Sequence, residues 1–147
     1  MMRSMQTHSL EEFQNAAIEF AKTLASGANA TVVALSGDLG AGKTTFVQAI
    51  ARHFGVIESV TSPTFVILQN YSLPDETQGF LRLIHMDAYR LKDESELGAL
   101  RFTDYLADPQ NLILIEWPER ISRSIPSDAK TITLTYISES ERELVFN

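Results

Sequence analysis

Residues 31–47 read TVVALSGDLGAGKTTFV, and the two halves of this stretch predict different structures. Thr31 to Ser36 form a short β-branched run without polar alternation, which is typical of a strand buried on both faces of a parallel sheet. A glycine-rich segment follows from Gly37, and a run with helical periodicity begins at Lys43. The stretch therefore predicts a strand, a tight loop and a helix, a combination typical of α/β proteins.

The loop matches G-x-x-x-x-G-K-[ST] at every fixed position from Gly37 to Thr44. Glycines let the backbone curl so that successive N–H groups face phosphate oxygens, and the helix directs its positive end at the same anion. Lys43 can reach the β- and γ-phosphates, and the Thr44 hydroxyl can ligate Mg²⁺. We therefore predict a triphosphate site, and the alternative is a glycine-rich turn that binds nothing. The predicted nucleotide-binding residues are Asp38, Leu39, Gly40, Ala41, Gly42, Lys43, Thr44 and Thr45.

A nucleoside triphosphatase also needs a carboxylate that organises the metal, usually at the end of a neighbouring buried strand. Glu116 lies at the end of NLILIEW and Asp87 ends FLRLIHMD, so both acids are expected near the carboxyl edge of the sheet. Each acid has an ordinary alternative as a solvated strand end. Thr64, in the segment TSPT, lies where P-loop proteins often sense the γ-phosphate, or else it belongs to a hydroxyl-rich turn.

Composition narrows the class of protein further. The 147 residues suit one domain, and the apolar fraction of 44% is ordinary for a soluble globular chain. The net charge of -7, without any lysine- or arginine-rich block, disfavours tight direct binding of nucleic acid. The chain has no cysteine, which excludes disulfides and thiolate metal sites. No secretory signal and no membrane-spanning run is found, so we expect a cytoplasmic protein.

The rest of the chain predicts further helices and strands. Ser9 to Glu12 form a capping box, and Gly27 is expected to end the helix that follows. Pro63–Tyr71 and Phe80–Asp87 predict a hairpin joined by the turn-rich loop SLPDETQG. DESELGALRFTDYLAD predicts two short helical turns, and AKTITLTYIS with RELVF predicts a final hairpin. The expected fold class is α/β: one P-loop domain over residues 1–147, with a mainly parallel central sheet flanked by helices and an antiparallel hairpin annex.

Four motifs in this order, GDLGAGKTT, SPTF, HMDAYRL and LIEWPE, resemble the bacterial TsaE family, formerly called YjeE. That family consists of small P-loop ATPases needed for threonylcarbamoyl modification of adenosine 37 in tRNA, so the resemblance implies ATP and Mg²⁺ as ligands. It also implies that the chain acts with the proteins TsaD and TsaB, reaches tRNA only through their complex, and hydrolyses ATP to support turnover of that complex.

The resemblance also implies roles for individual residues. Thr44 and Glu116 become Mg²⁺ ligands, and Lys43 belongs to the phosphate loop. Asp87 becomes a candidate for catalysis or for coupling to the partner, and the choice among water, metal and partner stays open. Thr64 takes the position of the γ-phosphate switch.

Other positions carry weaker expectations. Trp117 is expected near the nucleotide or the partner surface. The segments around His8 and Arg142 match places where the family contacts adenine or ribose, although a packing role for Arg142 fits equally well. His53 and His85 are expected to be helix-surface and sheet residues, because no second histidine or cysteine lies at metal-ligand spacing.

Two other classes of function share this type of loop. A small-molecule kinase would need an acceptor pocket and a basic lid, and the strand-rich C-terminal third lacks the late helices that such enzymes carry. A nucleotide-switched binding module with negligible hydrolysis is the second alternative. No N-K-x-D guanine-reading stretch occurs, which favours adenine or weak base selectivity over a GTPase.

Overall fold

The structure is a computed structural model that describes residues 2–58, 60 and 68–147. These residues form a seven-stranded sheet. The strands are β1 (Arg3–Thr7), β2 (Thr31–Ser36), β3 (Leu68–Thr77), β4 (Phe80–Asp87), β5 (Asn111–Glu116), β6 (Lys130–Tyr136) and β7 (Arg142–Phe146). The α-helices of the same residues are α1 (Leu10–Lys22), α2 (Lys43–His53) and α3 (Phe102–Ala107). Short 3₁₀ helices cover Ala88–Arg90, Glu94–Leu97 and Pro118–Ser124.

The strands lie in the order β1-β7-β6-β2-β5-β4-β3. The central strands β6, β2, β5 and β4 are parallel to one another. The antiparallel pairs lie at the two ends, where β7 and β1 follow β6, and β3 follows β4. This arrangement confirms the predicted fold class, with its parallel centre and antiparallel additions.

The sheet buries a hydrophobic core on each face. On one face α1 packs against α2, and the rings of Phe13 and Phe46 meet edge to face with centroids 5.7 Å apart. On the other face Phe102 of α3 and Ile121 of the last 3₁₀ helix pack with residues of β4 and β5. The helical periodicity that begins at Lys43 is confirmed, since the apolar residues of one face of α2 and its C-cap are all buried: Phe46, Val47, Ile50, Ala51 and Phe54.

Helix α1 begins at the predicted cap. The Ser9 hydroxyl accepts a hydrogen bond from the Glu12 N–H at 3.1 Å. In a capping box the Glu12 carboxylate would accept from the Ser9 N–H. Here it accepts instead from the N–H of the preceding residue, His8, at 2.8 Å.

Helix α1 ends at Lys22, so the prediction that Gly27 ends it is wrong. The Thr23 hydroxyl donates to the Phe20 carbonyl at 2.6 Å. From the β3–β4 turn, the Gln78 side-chain amide donates to the Ala21 carbonyl at 2.9 Å and to the Leu24 carbonyl. The Phe20 and Ala21 carbonyls also accept from the Thr23 and Leu24 N–H groups at 3.0 and 3.1 Å. The helix therefore ends in a local turn that the Gln78 side chain reinforces, and not in a glycine cap.

The segment SLPDETQG is largely strand, so its prediction as a loop is wrong. Strand β3 continues to Thr77, and the turn is formed by Gln78 and Gly79, with φ values of 57° and 92°. Positive φ at both turn residues suits the twist of a two-residue hairpin. Pro74 is tolerated because β3 is the last strand of the sheet order. Of the predicted strand over residues 63–71, residues 68–71 lie in β3 and the others lie outside the described residues.

Strand β1 is absent from the sequence prediction, whereas the final hairpin of β6 and β7 is confirmed. Four of the five β1 residues are exposed, so the strand lacks the alternation of apolar and polar residues that identifies a half-buried strand. Its place in the sheet comes from pairing with β7, with Arg3 opposite Phe146 and Thr7 opposite Arg142.

Candidate functional site

The segment Gly37–Gly42 joins the carboxyl end of β2 to the first turn of α2. Gly40 and Gly42 have φ values of 84° and 104°, in the left-handed region that favours glycine. Packing adds a second requirement, because a Cβ atom on Gly42 would lie 2.9 Å from Cζ of Phe13. A Cβ atom on Gly37 would lie 2.5 Å from the carbonyl oxygen of Leu134. The loop is thus curled and held closely between α1 and β6.

The eight predicted nucleotide-binding residues differ in exposure. Asp38, Leu39 and Gly40 form an exposed crest. Ala41 and Lys43 are buried, and the remaining members, Gly42, Thr44 and Thr45, are half-buried. Helix α2 begins at Lys43, so its first N–H groups, which lack partners within the helix, lie beside this crest. That placement satisfies the geometric requirement for an anion site at a helix N-terminus.

The Lys43 ammonium group lies at the inner side of the loop. Its Nζ donates to the carbonyl oxygen of Gly37 and, at 3.0 Å, to that of Asp38. It also lies 4.2 Å from the ring centroid of Trp117, within cation–π range. Desolvation by burial lowers the pKa of Lys43, although nearby carboxylates, with Glu116 foremost, oppose the shift. An anionic acceptor would suit this partly desolvated cation better than two neutral carbonyls do.

Thr44 and Glu116, the predicted metal ligands, are brought together by the fold. The Thr44 hydroxyl lies 3.3 Å from each carboxylate oxygen of Glu116, which ends β5 and is 3% exposed. The second carboxylate oxygen of Glu116 also lies 2.6 Å from Nε2 of His85, which is fully buried in β4. A hydroxyl and a carboxylate are the oxygen ligands that Mg²⁺ takes from P-loop proteins.

Asp87 lies at the same edge of the sheet. In the parallel register of β4 and β5, Asp87 is the direct partner of Glu116. One of its carboxylate oxygens accepts a hydrogen bond from the Tyr89 N–H at 3.0 Å, which caps the following 3₁₀ helix. The two acids that were predicted from strand ends therefore lie side by side, while Thr64 lies outside the described residues.

Aromatic side chains cover the site from the side of the last 3₁₀ helix. Trp117 has φ of 58°, an uncommon value for a bulky residue, and this conformation follows directly after Glu116. Its ring lies 5.0 Å from that of Tyr89, and the guanidinium of Arg120 lies 5.3 Å from the Tyr89 ring. Trp117 is expected near the nucleotide or the partner surface, and its contact with Lys43 places the ring beside the phosphate loop.

Two residues have a larger part in the geometry than the sequence indicated. His85 is a sheet residue, as predicted, but its contact with Glu116 was not foreseen. His85 lies two residues before Asp87, which puts both side chains on one face of β4. This spacing was the feature of the sequence that could have predicted His85 near the acids. Arg142 donates to loop carbonyls, and only a weak expectation of nucleoside contact had singled it out.

A cavity of about 80 Å³ lies beside Thr45, where α1 begins and the β6–β7 turn closes over the loop. Its lining includes Ser9, Leu10, Phe13 and Arg142.

Among the described residues, no group of three or more His, Asp or Glu side chains could hold a metal ion alone. Within the same part of the chain, no helix is long and apolar enough to cross a membrane.

Comparisons with known proteins agree on one family. Residues 7–144 match the family model described as "Threonylcarbamoyl adenosine biosynthesis protein TsaE". Proteins named "tRNA threonylcarbamoyladenosine biosynthesis protein TsaE" are similar: that of Bacillus subtilis is 40% identical over 78% of this chain and 68% of its own length. That of Rickettsia bellii is 38% identical over 92% of this chain and 88% of its own. The crystal structure of Bacillus subtilis YdiB superposes with a TM-score of 0.74, at 29% identity, over 99% of this chain and 84% of YdiB.

Proposed function

The chain belongs to the TsaE family of tRNA threonylcarbamoyladenosine biosynthesis proteins, and we propose that it is a Mg²⁺-dependent ATPase. One observation carries the proposal: the phosphate loop, its lysine and the Thr44–Glu116 pair meet at one edge of the sheet. Hydrolysis breaks the bond between the γ-phosphorus and the β–γ bridging oxygen as water attacks, and releases ADP and phosphate.

The loop and Lys43 bind and orient the phosphates. Backbone N–H groups of Gly40, Gly42 and Lys43 donate to phosphate oxygens, whereas that of Ala41 donates to the Asp38 carbonyl within the loop. The Lys43 ammonium exchanges its two carbonyl acceptors for anionic oxygens. The same groups stabilise the negative charge on the phosphoryl group during transfer. Asp38, Leu39 and Thr45 complete the proposed nucleotide contacts.

Thr44 and Glu116 would hold Mg²⁺. Their oxygens already converge, and the carboxylate is nearly buried, so the donor set fits a hard cation that keeps few protein ligands. When bound, Mg²⁺ would neutralise negative charge on the triphosphate. Asp87, which lies beside Glu116, orients the attacking water by accepting its hydrogen bond. Thr64 takes the γ-phosphate switch position in this proposal.

Family membership also supports a proposal about partners. The relatives are named for tRNA threonylcarbamoyladenosine biosynthesis, and we propose that this chain acts in the cytoplasm with TsaD and TsaB. The net charge of -7 suits contact with proteins better than with bare tRNA, so tRNA is reached through the complex. ATP hydrolysis supports turnover of that complex.

The first experiment replaces the loop lysine. Lys43→Met should weaken Mg-ATP binding about 10- to 100-fold, the effect of losing one or more charge-assisted hydrogen bonds. Isothermal titration calorimetry measures the affinity, and phosphate release, alone and with TsaD and TsaB, measures turnover. Lys22→Met is the matched control, because Lys22 lies exposed in the last turn of α1 and pairs with Glu19. Unchanged binding and turnover in Lys43→Met would refute the assignment.

The same assays divide the roles of the two acids. Glu116→Ala should weaken nucleotide binding only when Mg²⁺ is present, whereas Asp87→Ala should spare binding and slow turnover. The opposite result would exchange their roles. Normal Mg-ATP binding without phosphate release, even with TsaD and TsaB, would instead support an ATP-switched binding module. Formation of a phosphorylated metabolite from a metabolite pool would support a kinase.

A further inference from the structure

Arg142, the first residue of β7, contacts the phosphate loop from outside. Its Nη2 donates to the Gly40 carbonyl at 3.1 Å and its Nε donates to the Ala41 carbonyl at 3.2 Å. On its other side, Nη1 donates to the carbonyls of Ser138 at 2.6 Å and Glu141 at 2.9 Å. The guanidinium therefore bridges the crest of the loop and the turn between β6 and β7.

These bonds fix the direction of two peptide planes. The carbonyl and the N–H of a planar trans peptide point in opposite directions. Because the Ala41 carbonyl is held outward by Arg142, the N–H of Gly42 in the same peptide points toward the inner side of the loop. The peptide of Gly40 is fixed in the same way, and its N–H, on Ala41, closes the loop by donating to the Asp38 carbonyl at 3.0 Å.

The loop needs a restraint of this kind. Gly40 and Gly42 flank the two peptides, and glycine has more backbone freedom than any other residue. A Cβ atom on Gly40 would meet nothing within 4 Å, so packing does not fix the crest at that position. The guanidinium is itself held, since it lies 4.7 Å from the ring centroid of Tyr136 and its donors are engaged by carbonyls on both sides.

We infer that Arg142 is a positioning residue for the phosphate site: it orients the Gly42 N–H toward the anion by holding the Gly40 and Ala41 carbonyls outward. The inference rests on the proposed function. It differs from a nucleoside contact, in which the guanidinium touches base or ribose, and from a role confined to closing the β6–β7 turn. Inorganic pyrophosphate separates these roles, because it has phosphates and no nucleoside.

The test measures binding of inorganic pyrophosphate and of ADP to Arg142→Met and Arg142→Lys by calorimetry. Arg142→Met should weaken both ligands by the same factor of about ten, the effect of about one charge-assisted hydrogen bond. Arg142→Lys keeps the charge without the planar fork, and should recover only part of that loss. Nuclear magnetic resonance of the nucleotide-free protein should show a shifted Gly42 amide signal with faster hydrogen exchange in Arg142→Met.

Ser138→Ala is the matched control. It removes the Ser138 hydroxyl contact to Glu141 within the same turn and leaves the loop contacts intact, so both affinities and the Gly42 signal should be unchanged. Equal pyrophosphate affinity in wild type and Arg142→Met, or a loss confined to ADP, would overturn the positioning role. If Arg142→Met does not fold, unchanged pyrophosphate affinity in Arg142→Lys has the same meaning. Failure of the wild-type protein to bind ADP would instead overturn the proposed function.

Discussion

The buried pair of His85 and Glu116 joins a predicted residue to an unforeseen one. Their Nε2 and Oε2 atoms are 2.6 Å apart, and Nδ1 of His85 has no hydrogen-bond partner among the described residues. These contacts favour the tautomer with the proton on Nε2, which donates to the carboxylate. His85 therefore fixes the orientation in which Glu116 faces Thr44, as residues behind a metal ligand commonly do.

Replacing His85 should separate metal-dependent binding from nucleotide binding. In His85→Leu the Glu116 carboxylate loses its histidine donor and its fixed orientation, so ADP affinity should fall about tenfold with Mg²⁺ and stay unchanged with a chelator. His85→Gln keeps an N–H donor and should recover part of the loss. Calorimetry with and without Mg²⁺ measures both. His53→Leu is the control, since His53 pairs with Gln78 far from the loop. An equal loss under both conditions would contradict the positioning of Glu116.

Sequence periodicity was sufficient to find the acids but not their neighbours. Glu116 and Asp87 stand at the ends of apolar runs, so their arrival at one edge follows from the parallel sheet. The contacts of His85 and Arg142 depend on which strands are adjacent and on how close a backbone comes, and local residue patterns do not encode either. Thr64 lies outside the described residues and its role stays a prediction.

The end of α1 illustrates why the boundaries of helices and strands are harder to predict than the helices and strands themselves. The core faces of α1 and α2 follow from helical spacing, but α1 ends where the Gln78 amide, from the β3–β4 turn, takes the carbonyls of Ala21 and Leu24. Gln78 has a φ of 57°, a backbone conformation that is strained for a residue other than glycine. The hydrogen bonds across the turn compensate for that strain.

Substitution of Gln78 can measure both contributions. Gln78→Ala keeps the strained φ and removes the side-chain hydrogen bonds to the Ala21 and Leu24 carbonyls, so the free energy of unfolding should fall by about 1–3 kcal/mol. Gln78→Gly loses the same bonds but relieves the strain, and should be about 1 kcal/mol more stable than Gln78→Ala. Urea unfolding monitored by circular dichroism gives both values. Wild-type stability in Gln78→Ala would show that the turn does not cap α1.

Residues from distant parts of the chain meet at the phosphate loop. Phe13 of α1 and Leu134 of β6 leave no room for a Cβ atom on Gly42 and Gly37, respectively. Glu116 of β5 contacts Thr44, and Arg142 of β7 holds the crest. The motif predicted the loop itself, and the alternation of strands and helices predicted the sheet. The order of the strands, which brings these residues together, could not be predicted from the sequence and is known only from the structure.

Because so many elements contact the loop, nucleotide binding should stabilise the described sheet as one unit. Mg-ADP at one hundred times its dissociation constant should add about 2.7 kcal/mol to the free energy of unfolding. For a chain of this size that raises the melting temperature by about 5–10 °C, with a single transition throughout. Calorimetric melts with and without Mg-ADP measure the shift, and Lys43→Met, which lacks the ammonium, should show at most about half of it at the same Mg-ADP concentration. Two transitions, of which only one moves with ligand, would mean that residues 1–147 do not behave as the single domain proposed.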